Sequence, residues 1–217
     1  MVENGTLREK VYNYLREKLA KGTLTPGSYI DQNLICDHLD ISRAPLRDAL
    51  IQLEAEQFVE IFPRRGVLIK QLTLQDIKNF YEIIGSLESS VLLSEFHKMQ
   101  FSQIAELEEI NNRLKGALDK NRFGRYYDLN LQFHGVFLAL SDNTLLNQII
   151  LPLKQRLYDF PLMKYDRSWE LINLSEHQRF IDSVKAGNRE AAASIIKHEH
   201  WSFEHHKKNL IKIYRLG

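Results

Sequence analysis

The sequence predicts a mainly α protein in two parts: a helix-turn-helix unit closed by a β-hairpin over residues 1–72, then an all-helical bundle over residues 73–217. Three observations carry that expectation. Apolar side chains recur at helical spacing from Leu7 onward. The period changes to two short β-branched runs, Val59 to Phe62 and Val67 to Ile69, on either side of Pro63-Arg64-Arg65-Gly66. After Thr73 no further strand signal occurs.

The elements follow in order. Leu7, Val11, Leu15 and Leu19 are four apart, the stripe of a helix that GTLTPGS ends. Tyr29 to Asp31 is a stub of strand, and QNLICDHLDI reads as a two-turn helix with Leu34, Ile35 and Leu39 inward. Ser42 is a good N-cap for the next helix, and Pro45 falls in its first turn, where a missing N–H loses no helical bond. The hairpin completes the order of a winged helix-turn-helix within residues 1–72. Beyond it, TLQD opens a long helix to about Met99. Further helices are expected at 102–120, 123–140, 144–164, 175–186 and 188–214, with Ser175 and Gln178 as a second capping box and Asn188 after Gly187 starting the last.

Composition bounds the chemistry. With 217 residues and 44% hydrophobic content, the chain can bury a real core. Lys plus Arg is 29 and Asp plus Glu is 28, and residues 1–72 hold ten of each sign, so an electrostatic argument must rest on clustering. The lone Cys36 excludes an internal disulfide framework and fits a reducing compartment, the cytoplasm. MVENGTLREK has no apolar export core, and no stretch approaches 18 apolar residues, so a membrane partner is not expected.

Clustering is found at Arg43 and Arg47, one turn apart beside the apolar stripe Leu46, Leu50 and Leu53. An α-helix fits the major groove of B-DNA, where arginine donates two bonds to guanine or clamps a phosphate. The turn Arg64-Arg65-Gly66 is then a basic wing against the backbone or minor groove. These residues imply a double-stranded DNA partner.

The run PGSYIDQNLICDHLDISRAPLRDALIQLEAEQFVEIFPRRG closely resembles the DNA-binding domain of GntR-type transcription regulators. The helical region after it resembles the effector-binding domain, called FCD, of their FadR branch. The resemblance covers nearly the whole chain. It implies a homodimeric repressor or activator that senses a small metabolite, usually an organic acid, in the helical domain. Matched by position, the DNA contacts fall on Gln32, Ser42, Arg43, Ala44, Arg47, Arg65 and Gly66; position 32 is often arginine in relatives.

In the helical part, Asn130 and His134 share one helix face, and His177 stands near the start of a later helix. Ala192, Ile195, Ile196, Glu199 and Phe203 form one inward stripe, so Glu199 points at the bundle centre, where a carboxylate is costly unless paired or bound to metal. Many FCD domains resemble this layout, with an aspartate four residues before a first histidine and two further histidines, all on a divalent metal. Asn130 stands where that aspartate would be, and Glu199 where the third histidine would be. The expected ligands are Asn130, His134, His177 and Glu199, holding zinc, nickel or manganese. The opposing reading is a polar effector pocket without an ion. His198 and His200 flank Glu199, so a register error of one would promote either; His97, His205 and His206 are expected at the surface or a dimer edge. Gly85 stands where the family commonly has an arginine facing the pocket.

The rival function is a helical metalloenzyme using His134, His177 and Glu199, with the winged helix as accessory. No HExxH, Gly-rich phosphate loop or nucleophile–base set supports it.

Overall fold

Capping side chains set several of the helix starts in the computed structural model, which describes residues 5–159 and 166–216. Contacts divide the chain into two units, Met1–Thr73 with Gln155–Leu162, and Leu74–Lys154 with Met163–Gly217.

In the first unit, Thr6 opens α1 (Leu7–Ala20) with a capping box, its hydroxyl accepting from the Glu9 N–H at 3.2 Å and its own N–H donating to Glu9 Oε2 at 2.7 Å. Asp31 caps α2 (Gln32–Leu39), accepting from Asn33 N at 2.8 Å. Asp40, at φ 52°, ends it in the left-handed conformation that turns the chain into α3 (Arg43–Ala55). Ser42 holds the N-cap position of α3, but its side chain makes no capping hydrogen bond. Strands β1 (Val59–Phe62) and β2 (Gly66–Ile69) pair antiparallel from Val59↔Ile69 to Phe62↔Gly66, and Tyr29 adds a bridge to Leu68. Arg64 at φ 62° and Gly66 at φ 116° make the turn between them.

The first unit's core is Val11, Leu15, Ile35, Leu46, Leu50, Leu53, Phe58, Val67 and Ile69. Leu34, expected inward, is 57% exposed, because an eight-residue helix buries one narrow face and Ile35 holds it. Arg156 is buried in this unit, donating to the Lys70 carbonyl at 2.8 Å with its guanidinium 5.6 Å from the Phe58 ring centre.

The second unit is helical: α4 (Leu74–Glu95) with a 3₁₀ turn at Phe96–Lys98, α5 (Phe101–Asp119), α6 (Phe123–Leu138), α7 (Thr144–Asp159, whose residues from Gln155 on belong to the first unit), α8 (Arg167–Lys185), α9 (Arg189–Ile195) and α10 (Phe203–Tyr214). The expected continuation of α7 to 164 lies outside the described residues. Leu107, Leu114, Phe133, Phe137 and Phe180 are buried where α5 packs on α6 and α8. No helix among the described residues is long and apolar enough to cross a membrane.

Two expected helix boundaries move. α8 starts eight residues before Ser175, since Asp166 caps it by accepting from Ser168 N at 3.0 Å, and Ser175 lies inside the helix. The final helix is also not continuous. Asn188 does start α9, accepting from Ala191 N at 3.0 Å, but Ile196–His200 forms a π turn closed by Trp201 N–H to Ile196 O at 2.9 Å. Ser202 then caps α10, accepting from His205 N at 3.3 Å.

Candidate functional site

The π turn decides which residue reaches the bundle centre. Ile195 and Ile196 are buried, and in a regular helix Glu199 would come next on that face. The wider turn carries one residue more, so His200 arrives there instead, 6% exposed. His200 meets His134 from α6 and His177 from α8, with one ligand nitrogen of each lying within 4.8 Å of the others. His134 and His177 are wholly buried. The His177 ring stacks on Phe133 at 4.0 Å between centres, which fixes its plane.

Each of two rings is oriented by a carboxylate behind it. His134 Nδ1–H donates to Glu88 Oε2 at 2.8 Å, and His200 Nδ1–H donates to Glu176 Oε2 at 3.0 Å. Because the outer nitrogen of each carries the proton, the lone pair of the neutral ring sits on Nε2, the tautomer a metal requires. Among the described residues, His134 Nε2 and both nitrogens of His177 have no hydrogen-bond partner. Burial drives His134 down to about 3 and His177 well below the usual histidine range, so all but a vanishing fraction of both is neutral near pH 7. Burial alone would raise the two carboxyls, but the groups pressed against them prevail. His134 and Lys154 hold Glu88 at about 2, and the hydrogen bond from His200, with His206 close by, holds Glu176 at about 2.

Glu88 is also the acceptor for Trp201 Nε1–H at 2.7 Å, and its other oxygen pairs with the buried Lys154 ammonium. Sequence reasoning missed Glu88, Glu176 and Lys154. The signal for Glu88 was present: it continues the buried stripe Ile77, Tyr81 and Ile84 of α4, the same argument that was spent on Glu199.

The expected ligand set is corrected at one position. Glu199 is half-buried and ion-paired with Arg179 of α8, outside the histidine cluster, because the π turn rotates it off the inward face. Asn130 is buried one turn before His134, as its spacing requires. His97 and His205 are exposed, but His206, also expected at the surface, is 1% exposed. It belongs to a second group with Glu176 and His205, whose Nε2 atoms stand 3.6 and 3.5 Å from Glu176 Oε1. That group is a poor metal site. Trp169 Nε1–H donates to His206 Nδ1 at 2.8 Å, so the proton of a neutral His206 sits on Nε2, facing Glu176, and leaves no lone pair there.

Gly85 has a steric reason. A Cβ there would come within 2.8 Å of Trp201 Cβ, so the end of the π turn fills the space a side chain at position 85 would need. A groove of about 700 Å³ lies between Phe96, Met99, Phe101, Ile104 and Val184. Its walls are mainly apolar and it does not include the histidines.

On the first unit, Ser42, Arg43, Ala44 and Arg47 are exposed at the start of α3, and Arg64 and Arg65 are exposed at the hairpin tip beside Gly66. Gln32 is half-buried at the start of α2 and is turned toward the arginine. Arg43 Nη1 donates to Gln32 Oε1 at 3.1 Å and Nη2 to Asn33 Oδ1 at 2.5 Å.

Comparison with known proteins matches residues 7–69 to bacterial regulatory proteins of the gntR family and residues 79–201 to the FCD domain. The chain is 27% identical over 203 residues to an uncharacterized HTH-type transcriptional regulator YdhC of Bacillus subtilis, covering 90% of this chain and 89% of that one. It is 22% identical over 160 residues to the HTH-type transcriptional repressor RspR of Escherichia coli, covering 74% and 70%. The solved structure of E. coli McbR/YncC superimposes with a TM-score of 0.72 at 19% identity, over 98% of this chain and 99% of that one, a likeness of fold. A winged helix of this type binds DNA and an FCD domain binds an effector; the protein is not an enzyme. The chain therefore belongs to the GntR family of transcription regulators, in the group whose winged helix is followed by an FCD domain.

Proposed function

We propose that the chain is a homodimeric, cytoplasmic repressor whose FCD domain holds a divalent metal and reads a small organic acid at or beside it. The observation that carries this reading is the triad His134, His177 and His200. Three buried imidazoles converge, and three of their nitrogens have no hydrogen-bond partner among the described residues. Buried polar atoms left so are costly, and a metal ion meets the need of lone pairs that hydrogen-bond donors nearby do not. The donor set fits. His134, His177 and His200 would hold the ion, and Asn130 is placed on the His134 face to add an amide oxygen. Replacing Glu199 by His200 makes the set richer in imidazole, which favours zinc or nickel over manganese. A bound ion supplies a Lewis-acid centre for an exchangeable oxygen ligand.

In the same reading Ser42, Arg43, Ala44 and Arg47 enter the major groove, Arg64, Arg65 and Gly66 form the wing contact, and Gln32 acts with Asn33 to hold Arg43 in position. The chain divides near Thr73 into a reading head and a sensing domain. Exposed Leu145 and Ile149 on α7, one turn apart, with Ile83 and Leu93 on α4, support a self-association surface in the sensing domain. Repression follows the name of the relative RspR, and a bacterial operator places the protein in the cytoplasm.

The test is metal analysis of full-length protein purified without a histidine tag or chelator, followed by binding to DNA selected from a random pool. Stoichiometric zinc or nickel, lost in His134→Ala while DNA binding persists, is the expected result. Substoichiometric metal that zinc, nickel and manganese cannot restore returns the site to a metal-free polar pocket.

A further inference from the structure

Lys154 has more hydrogen-bonding capacity than its surroundings use. It is 2% exposed on α7, and among the described residues it meets one oxygen of Glu88 and the face of Trp201, whose ring centre is 5.3 Å away. An ammonium carries three donors and a carboxylate oxygen takes one. Burying a lysine is costly, and burial does lower its proton affinity, with the pairing to Glu88 opposing that effect. Glu88 also accepts from His134 and Trp201 at 2.8 and 2.7 Å, both on its other oxygen, so these two hydrogen bonds do not depend on where the ammonium points.

The position of Lys154 points to a second task. Trp201 connects it to the triad, lying 5.6 Å from the His134 ring between centres, and the charge of Lys154 is felt at both His134 and His177. The groups in contact with the three imidazoles also leave a charge to balance. Glu88 and Lys154 cancel, Glu176 supplies one negative charge, and imidazoles that ligate a metal through a lone pair add none. A divalent ion bound there would leave a single positive charge in a site walled off from water, which an entering anion would offset.

We propose that Lys154 is the anion-recognition residue of the sensing domain: a carboxylate occupies the metal's exchangeable position and is held at the same time by the Lys154 ammonium. The proposal rests on the metal reading above and adds the residue that selects the charge of the ligand. Trp201 walls the site, and its indole keeps Glu88 on His134 when the ammonium turns from Glu88 to the ligand. A neutral molecule of the same shape would gain the metal contact alone.

The experiment uses the full-length protein loaded with cobalt(II), whose visible spectrum reports on the ion's ligands, and acetate as the probe, with acetamide as its uncharged counterpart. In wild type, acetate should shift the spectrum and raise the melting temperature, and acetamide should do neither. Lys154→Gln, which keeps a donor for Glu88, and Lys154→Met should load cobalt with the wild-type stoichiometry and need at least about tenfold more acetate, the scale of one charge-assisted hydrogen bond. Unchanged acetate binding in both variants, or an acetamide response equal to that of acetate, overturns the role of Lys154 while leaving the metal reading in place. Failure of both variants to load cobalt shows that the ammonium is structural and also overturns it. A wild-type protein that takes up no cobalt removes the metal reading and this proposal together.

Discussion

Exchanging the roles of two neighbouring residues is the sharpest test of the site. The π turn brings His200 into the histidine cluster and leaves Glu199 outside it, paired with Arg179, whereas an unbroken helix would do the reverse. Glu199→Ala removes an ion pair with Arg179 whose two side chains are 33% and 49% exposed. Such a pair contributes about 0–1 kcal/mol, so for a chain of this size the melting temperature should move by no more than about 2–4 °C. Metal content should not change. His200→Ala instead removes a buried ring and strips Glu176 Oε2 of its donor at 3.0 Å. The cavity and the abandoned carboxylate oxygen together should cost about 2–5 kcal/mol. Metal affinity should fall by more than the roughly 10- to 100-fold that follows from losing a group that merely supports a ligand. Isothermal titration with zinc on the two variants, beside thermal melts of the metal-free proteins, reads both quantities. Loss of metal in Glu199→Ala with retention in His200→Ala would refute the π turn and the argument built on it.

Other outcomes are expected from separate parts of the molecule. Arg43→Ala should weaken binding to a selected operator by about 1–3 kcal/mol for a lost bidentate contact, and Asn33→Ala by less, as measured by fluorescence anisotropy at fixed salt; wild-type affinity in Arg43→Ala would remove α3 from the groove. Gly85→Ala should destabilise the fold by about 1–3 kcal/mol in urea unfolding, because its Cβ would stand 2.8 Å from Trp201 Cβ. Metal-stripped protein should lose stability as pH falls. His134 at about 3 and His177 lie below the ordinary histidine value of 6.5, so the unfolded chain binds protons first and stability declines from about pH 6.5 downward. Glu88 and Glu176, held at about 2 against an ordinary 4.5, contribute stability that is complete above about pH 4.5 and lost below it. Melting temperatures that rise between pH 7 and 5 would contradict the buried neutral rings.

Local rules were enough to read the reading head. The stripe from Leu7 to Leu19, the position of Pro45, the β-branched runs around Pro63 to Gly66 and the paired arginines of α3 act within a few residues, and the structure follows them. The Asn130 and His134 spacing was equally legible, because α6 is a regular helix. What failed was any inference that carried a period across an irregularity or across the core. A π turn leaves no mark in composition, so the stripe through Ile195 and Ile196 pointed to Glu199 when the extra residue had brought in His200. His206 was assigned to the surface since nothing near it in sequence reveals Trp169 as its donor, 37 residues away. Glu88, Lys154 and Trp201 come from α4, α7 and the end of the π turn, and their polar atoms are tolerable in the interior only because they meet one another. Periodicity tells which face of a helix is buried; only the packed structure decides which charges on that face find partners there.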